Sequence, residues 1–109
     1  MCSSDLCRAL ETQMLLKARA FCAFIGYDTS EYQVYCCKVL GENILGVAYQ
    51  GGIYLSERVF LQGTKQVAVT MLEEYFHLKY GLQDECYKMQ TFLFDVIGQL
   101  GEKLQGSPL

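Results

Sequence analysis

A chain of 109 residues with 51% hydrophobic content has the size of one domain and enough apolar surface for a single core, which excludes intrinsic disorder. A formal net charge of −3 without a basic cluster leaves no electrostatic footprint for nucleic acid. No apolar run approaches the roughly 18 residues of a membrane span, and no basic and apolar signal region opens the chain, so no membrane is expected and the location is read as cytoplasmic.

The first six residues, Met-Cys-Ser-Ser-Asp-Leu, resemble translated sequencing adapter: back-translation gives GTG TGC TCT TCC GAT CT, with GTG read as a start codon. Residues 1–6 are therefore set apart as a scar, and the native chain is expected to begin upstream. The six cysteines (Cys2, Cys7, Cys22, Cys36, Cys37 and Cys86) contain no Cys-x-x-Cys pair and lie among large apolar residues, so free buried thiols are expected. A cysteine zinc site is not expected.

From Leu6 to Phe24 the residues Leu10, Met14, Ala18, Phe21, Cys22 and Ile25 recur at helical spacing, with Gly26 as the stop. A polar loop over 27–32 leads into three runs with strand composition. Gln33 to Leu40, Ile44 to Tyr49 and Ile53 to Leu55 are separated by Gly41-Glu42-Asn43 and Gln50-Gly51-Gly52, and read as a three-stranded antiparallel meander. A helical turn over Arg58 to Leu61 and a break at Gln62-Gly63 follow, with Thr64 as the candidate N-cap of the next helix. That helix is expected to run to Lys79 or Tyr80 and stop at Gly81. A last helix is expected from an Asp84 N-cap to Leu104, with Cys86, Met89, Leu93, Val96, Ile97 and Leu100 as its stripe. The fold class is α+β, one domain over residues 7–104, with 105–109 a disordered tail.

The chemistry concentrates in Val67 to Tyr80, which holds the single histidine. On a wheel of about 100° per residue its apolar residues cover roughly 220°, so the helix must be largely buried. Thr70, Glu73, Glu74 and His77 share one narrow polar strip. Glu74 lies at its edge, where a carboxylate needs a hydrogen-bond partner. The bland reading is a satisfied core carboxylate and a hydrogen-bonded core histidine; the sharper one is a site in which Glu73 and His77, one turn apart, grip one metal.

Glu73-Glu74-x-x-His77 resembles the His-Glu-x-x-His helix of the zincin metallopeptidases, with glutamate in place of the first histidine. The resemblance implies Glu73 and His77 as zinc ligands and Glu74 as the catalytic base. It also implies a third ligand from the following segment, where the candidates are Asp84, Glu85 and Gln90; the periodicity turns Gln90 inward. The order helix, short sheet, motif helix, closing helix is that of minimal zincins. Gly52-Ile53-Tyr54-Leu55-Ser56 is similar to the edge strand before their metal helix, which implies that Ile53, Tyr54 and Leu55 bind peptide by β-addition.

The wording Gly63-Thr64-Lys65, Leu72 to His77, Met89-Gln90 and Leu93-Phe94-Asp95 resembles the C-terminal region of large bacterial ATP-binding proteins with a gyrase and histidine-kinase type (GHKL) ATPase domain. This implies an upstream ATPase domain as partner, although the ATP-binding motifs themselves are absent from these residues. Two functions are compatible with this sequence. One is a degenerate zincin-like domain, a structural or peptide-binding module with at most weakly bound zinc and a peptide or protein partner. The other is an atypical metal-dependent peptidase. The altered first ligand favours the module.

Overall fold

The computed structural model describes residues 9–38, 40–82 and 87–108. The adapter-like start, Asp84, Glu85 and Cys86 lie outside the described residues. Four helices and one sheet follow in the order α1 (Ala9–Phe24), β1 (Gln33–Cys37), β2 (Gly46–Tyr49), β3 (Gly52–Ser56), α2 (Glu57–Leu61), α3 (Thr64–Tyr80) and α4 (Tyr87–Gln105). The α+β class and the succession of elements agree with the sequence reading.

The arrangement of the sheet does not. Its strand order is β1-β3-β2, with β1 parallel and β2 antiparallel to β3, so it is mixed and not an antiparallel meander. The physical reason lies in the two links. Gln50 and Gly51 both have positive φ, 47° and 77°, as the tight primed turn of a hairpin demands, so β2 and β3 must be neighbours. The longer link 38–45 carries the chain across the end of the sheet, with Gly41 and Asn43 at positive φ. β1 then pairs with the far side of β3. The central strand is consequently Gly52–Ser56, flanked on both sides along its length, with Ile53 and Leu55 fully buried.

One face of the sheet, carrying Val34, Cys36, Ile53 and Leu55, packs under the helices in the core. On the other face Tyr35 and Tyr54 stack at 4.8 Å. Ser56 ends β3 and caps α2 through its hydroxyl, which accepts from the Arg58 N–H at 3.2 Å. Thr64 is not an N-cap; it is the first residue of α3, whose cap is Gly63, at φ 107°.

The buried face of α1 is rotated from the expected stripe. Glu11, Leu15, Ala18 and Cys22 point inward, while Leu10, Leu16, Phe21 and Phe24 are exposed. Apolar residues surround this helix, so the wheel does not decide its face; the small residues do. Ala18 and Cys22 are completely buried, and the Cys22 Sγ lies 3.8 Å from the Ala68 carbonyl oxygen, so α1 comes close to α3. Burial pushes the Cys22 thiol up to about 11, offset in part by the charge of Arg19. Arg19 ties the exit of α1 to the next turn: its guanidinium donates to the Thr29 carbonyl at 2.7 Å, the Thr29 hydroxyl at 3.1 Å and the Tyr32 carbonyl at 3.0 Å.

An aromatic cluster closes the far end. Phe76 meets Tyr27 at 5.1 Å and Phe92 at 4.9 Å, both edge-to-face, and Tyr80 also meets Phe92 at 4.9 Å. These rings, with Met89 in the core, hold α4 to the body, and Val96 is buried as well. Of its other expected core residues, Leu93 and Ile97 are exposed and Leu100 is half-buried; Phe94 is exposed as well. Among the described residues no helix is long and apolar enough to cross a membrane. Cys22 is a free thiol, but Cys36 and Cys37 are disulfide-bonded, against the expectation of free thiols.

Candidate metal centre and groove

The amphipathic character of α3 sets the site. Val67, Ala68, Met71, Tyr75 and Phe76 anchor its apolar side in the core, which fixes the rotation of the helix and therefore the direction of the polar strip. Glu73 is exposed, Glu74 is buried and His77 is half-buried. One ligating atom from each lies within 4.8 Å of the others. Ligands bound at about 2.0 to 2.2 Å to one ion sit some 3 to 3.5 Å apart, so the three atoms would have to draw closer to hold one. The donor set, two carboxylates and an imidazole, suits a divalent metal.

The histidine has its supporting partner. Gly81 takes the left-handed conformation (φ 65°, ψ 23°) and donates its N–H to the His77 carbonyl at 3.1 Å. The chain turns back over the end of α3, and the Leu82 carbonyl oxygen reaches His77 Nδ1 in a short hydrogen bond. Nδ1–H is the donor to a carbonyl, so the neutral form of the ring carries its lone pair on Nε2, the tautomer a metal ligand needs.

Glu74 is only 6% exposed, yet its burial is compensated, since no buried side-chain nitrogen or oxygen among the described residues lacks a hydrogen-bond partner. It lies against β2. Together with His77 and Leu82 on one side and Ile44, Gly46, Val47 and Ala48 on the other, it lines an open groove of about 460 Å³. The acidic strip thus faces the antiparallel outer strand of the sheet.

Of the residues singled out from sequence, Glu73, Glu74 and His77 come together. Gln90 does not face inward; it is exposed on α4, because that helix turns Met89 and Phe92 to the core. Glu85 and Asp84 lie outside the described residues. Asp95 is exposed. The β-addition role cannot belong to Ile53, Tyr54 and Leu55, because both edges of β3 are already paired.

Sequence reasoning missed Leu82, Gly46 and the groove wall of β2. The Gly81 stop was the available signal for Leu82, since a left-handed cap returns the next residue over the last turn. A second buried carboxylate, Glu11, was also missed; with Leu10, Met14, Glu57, Phe60 and Leu61 it lines a separate cavity of about 350 Å³. Comparison with protein-family models, curated proteins and solved structures finds no match.

Proposed function

We propose that this chain is a zincin-like domain that has lost hydrolysis and serves as a peptide-binding or structural module. The observation that carries the reading is the convergence of Glu73, Glu74 and His77 on a groove walled by the sheet's outer strand β2. In this reading Glu73 and His77, with Glu74 completing the set, hold a divalent ion loosely, and the edge of β2 receives an extended peptide by main-chain pairing. The bound ion would supply Lewis acidity toward a peptide carbonyl; the chain's own contribution is the oriented imidazole, the buried carboxylate and the apolar wall of Ile44, Val47 and Ala48.

The native setting we propose is the C-terminal part of a larger bacterial ATP-binding protein with an upstream ATPase domain. A cytoplasmic location belongs to the same reading, and the disulfide-bonded state of Cys36 and Cys37 weighs against it, since cytosolic thiols are kept reduced. The second reading, an atypical peptidase, draws on one observation: Glu74 is a buried carboxylate lining the groove beside His77, the place of a base.

The test of the binding reading is a titration of ¹⁵N-labelled protein with casein-derived peptides. Amide shifts should concentrate at Val47, Ala48 and the His77 to Leu82 turn, with the β3 amides unmoved. Shifts confined to other surfaces, or none at millimolar peptide, contradict it.

A further inference from the structure

We propose that Gly46 is a positioning residue of the groove: by lacking a side chain it lets β2 close on α3 and seats the Glu74 carboxylate against the strand. The inference rests on the reading of the groove as a metal and peptide site and assigns the residue that shapes it. Gly46 pairs with Leu55, so its side-chain direction is the one that faces the helices. Its φ is not in the left-handed region, so backbone conformation does not call for glycine at this position.

Space does. A Cβ at Gly46 would lie 2.8 Å from Thr70 Cγ2, 3.3 Å from Glu74 Cγ and 3.4 Å from Glu74 Oε2. Thr70 is buried and β-branched, and its hydroxyl accepts from Gln66 Nε2 at 3.5 Å, so its methyl has little room to rotate away. The Glu74 contacts are of another kind: the carboxylate stem can give by a few tenths of an ångström, and in giving it leaves its place in the groove. The two contacts therefore separate, one serving packing and the other the site. Gly98 and Gly101 on α4 form a contrast, since a Cβ there would meet nothing within 4 Å.

The experiment compares the unaltered protein with G46A, T70S and the double variant G46A/T70S. Thr70→Ser removes only the methyl in the tight contact and keeps the hydroxyl. Three quantities are read: the melting temperature, the ¹³C shift of the Glu74 carboxyl in metal-free protein (assigned with E74Q), and zinc affinity by calorimetry. The double variant should regain the melting temperature of T70S. Its Glu74 resonance should nevertheless stay displaced, and its zinc affinity should fall about 10-fold below that of T70S, the scale of losing a group that orients a ligand. If both the resonance and the affinity return to T70S values, Gly46 serves packing alone and the proposal is overturned. It is also overturned if the double variant fails to regain the T70S melting temperature, because the methyl is then not what Gly46 relieves. A displaced resonance in a protein that binds zinc in no form, the unaltered one included, leaves Gly46 as the seat of Glu74 and removes the metal reading instead.

Discussion

Phe76 stands beside His77 and joins α3 to α4 and to the loop after α1, so its truncation tests whether the site rests on the aromatic cluster. Its ring is 2% exposed and contacts Tyr27, Tyr75, Tyr80 and Phe92 at centroid distances from 4.9 to 6.1 Å. Phe76→Ala should cost about 3 to 5 kcal/mol, the range for a fully buried phenylalanine. A chain of 109 residues has a total stability on the order of 5 to 16 kcal/mol, so this one change removes a large share. The melting temperature should fall by about 12 °C or more. Phe92→Ala, at a half-buried position, should cost less. The double-mutant cycle between the two should return a coupling of about 0.5 to 1.5 kcal/mol for the edge-to-face pair. Urea unfolding followed by circular dichroism gives all four stabilities, provided the m-values agree. A Phe76→Ala cost below about 1 kcal/mol, or a coupling indistinguishable from zero, would refute the packing of α4 on α3.

Replacing Met71 by Ala should cost about 2 to 5 kcal/mol, and Leu72 by Ala less, because only Met71 is fully buried; equal costs in thermal melts would count against the rotation of α3. Arg19→Met should destabilise by about 1.5 to 3 kcal/mol in urea titrations by removing charged hydrogen bonds to the Thr29 and Tyr32 carbonyls, and no loss would dismiss this anchor. Stability should decline in alkali: the Cys22 thiol titrates near 9.0 when unfolded and near 11 when folded, so the unfolded state sheds its proton first and the stabilisation present below pH 9 is lost as pH rises towards 11. Burial shifts Tyr27 and Tyr75 the same way from 10.0, and Cys22→Ala should flatten the lower part of that decline in melts run from pH 8 to 11. Iodoacetamide labelling with mass readout should modify Cys22 only on unfolding, and Cys36 and Cys37 only after reduction; labelling of the last two in unreduced, unfolded protein would show them to be thiols.

The polar strip of α3 was legible because four residues at helical spacing must share a direction once their apolar neighbours are buried, and a wheel contains that information. Gly81 was legible for a similar reason, since the chain needs a residue that accepts positive φ to end the helix. The strand order was not. Composition marks Gln33 to Cys37 and Gly52 to Ser56 as strands, but which one is central depends on whether the link 38–45 turns back or crosses over, and no local preference encodes that. The buried face of α1 was illegible for the opposite reason: with Leu10, Leu16, Phe21 and Phe24 all available, several faces qualify, and close approach to Ala68 selected the one with Ala18 and Cys22. Gln90 followed from the same ambiguity on α4. The groove itself needed the pairing of β2 with β3, which brings Gly46 over Thr70 and Glu74 although they are remote in sequence.

The most direct test of the inactive-module reading is the zinc content and casein cleavage of dialysed protein, with zinc titrated back by calorimetry. Glu73, Glu74 and His77 should bind zinc loosely, with none retained through dialysis and no cleavage at ordinary zinc concentrations; His77→Ala should abolish the binding, and Glu73→His should tighten it by restoring the His-Glu-x-x-His pattern. Retention of one zinc per chain through dialysis, lost together with casein cleavage when Glu73 becomes Ala, would contradict the module and establish the peptidase.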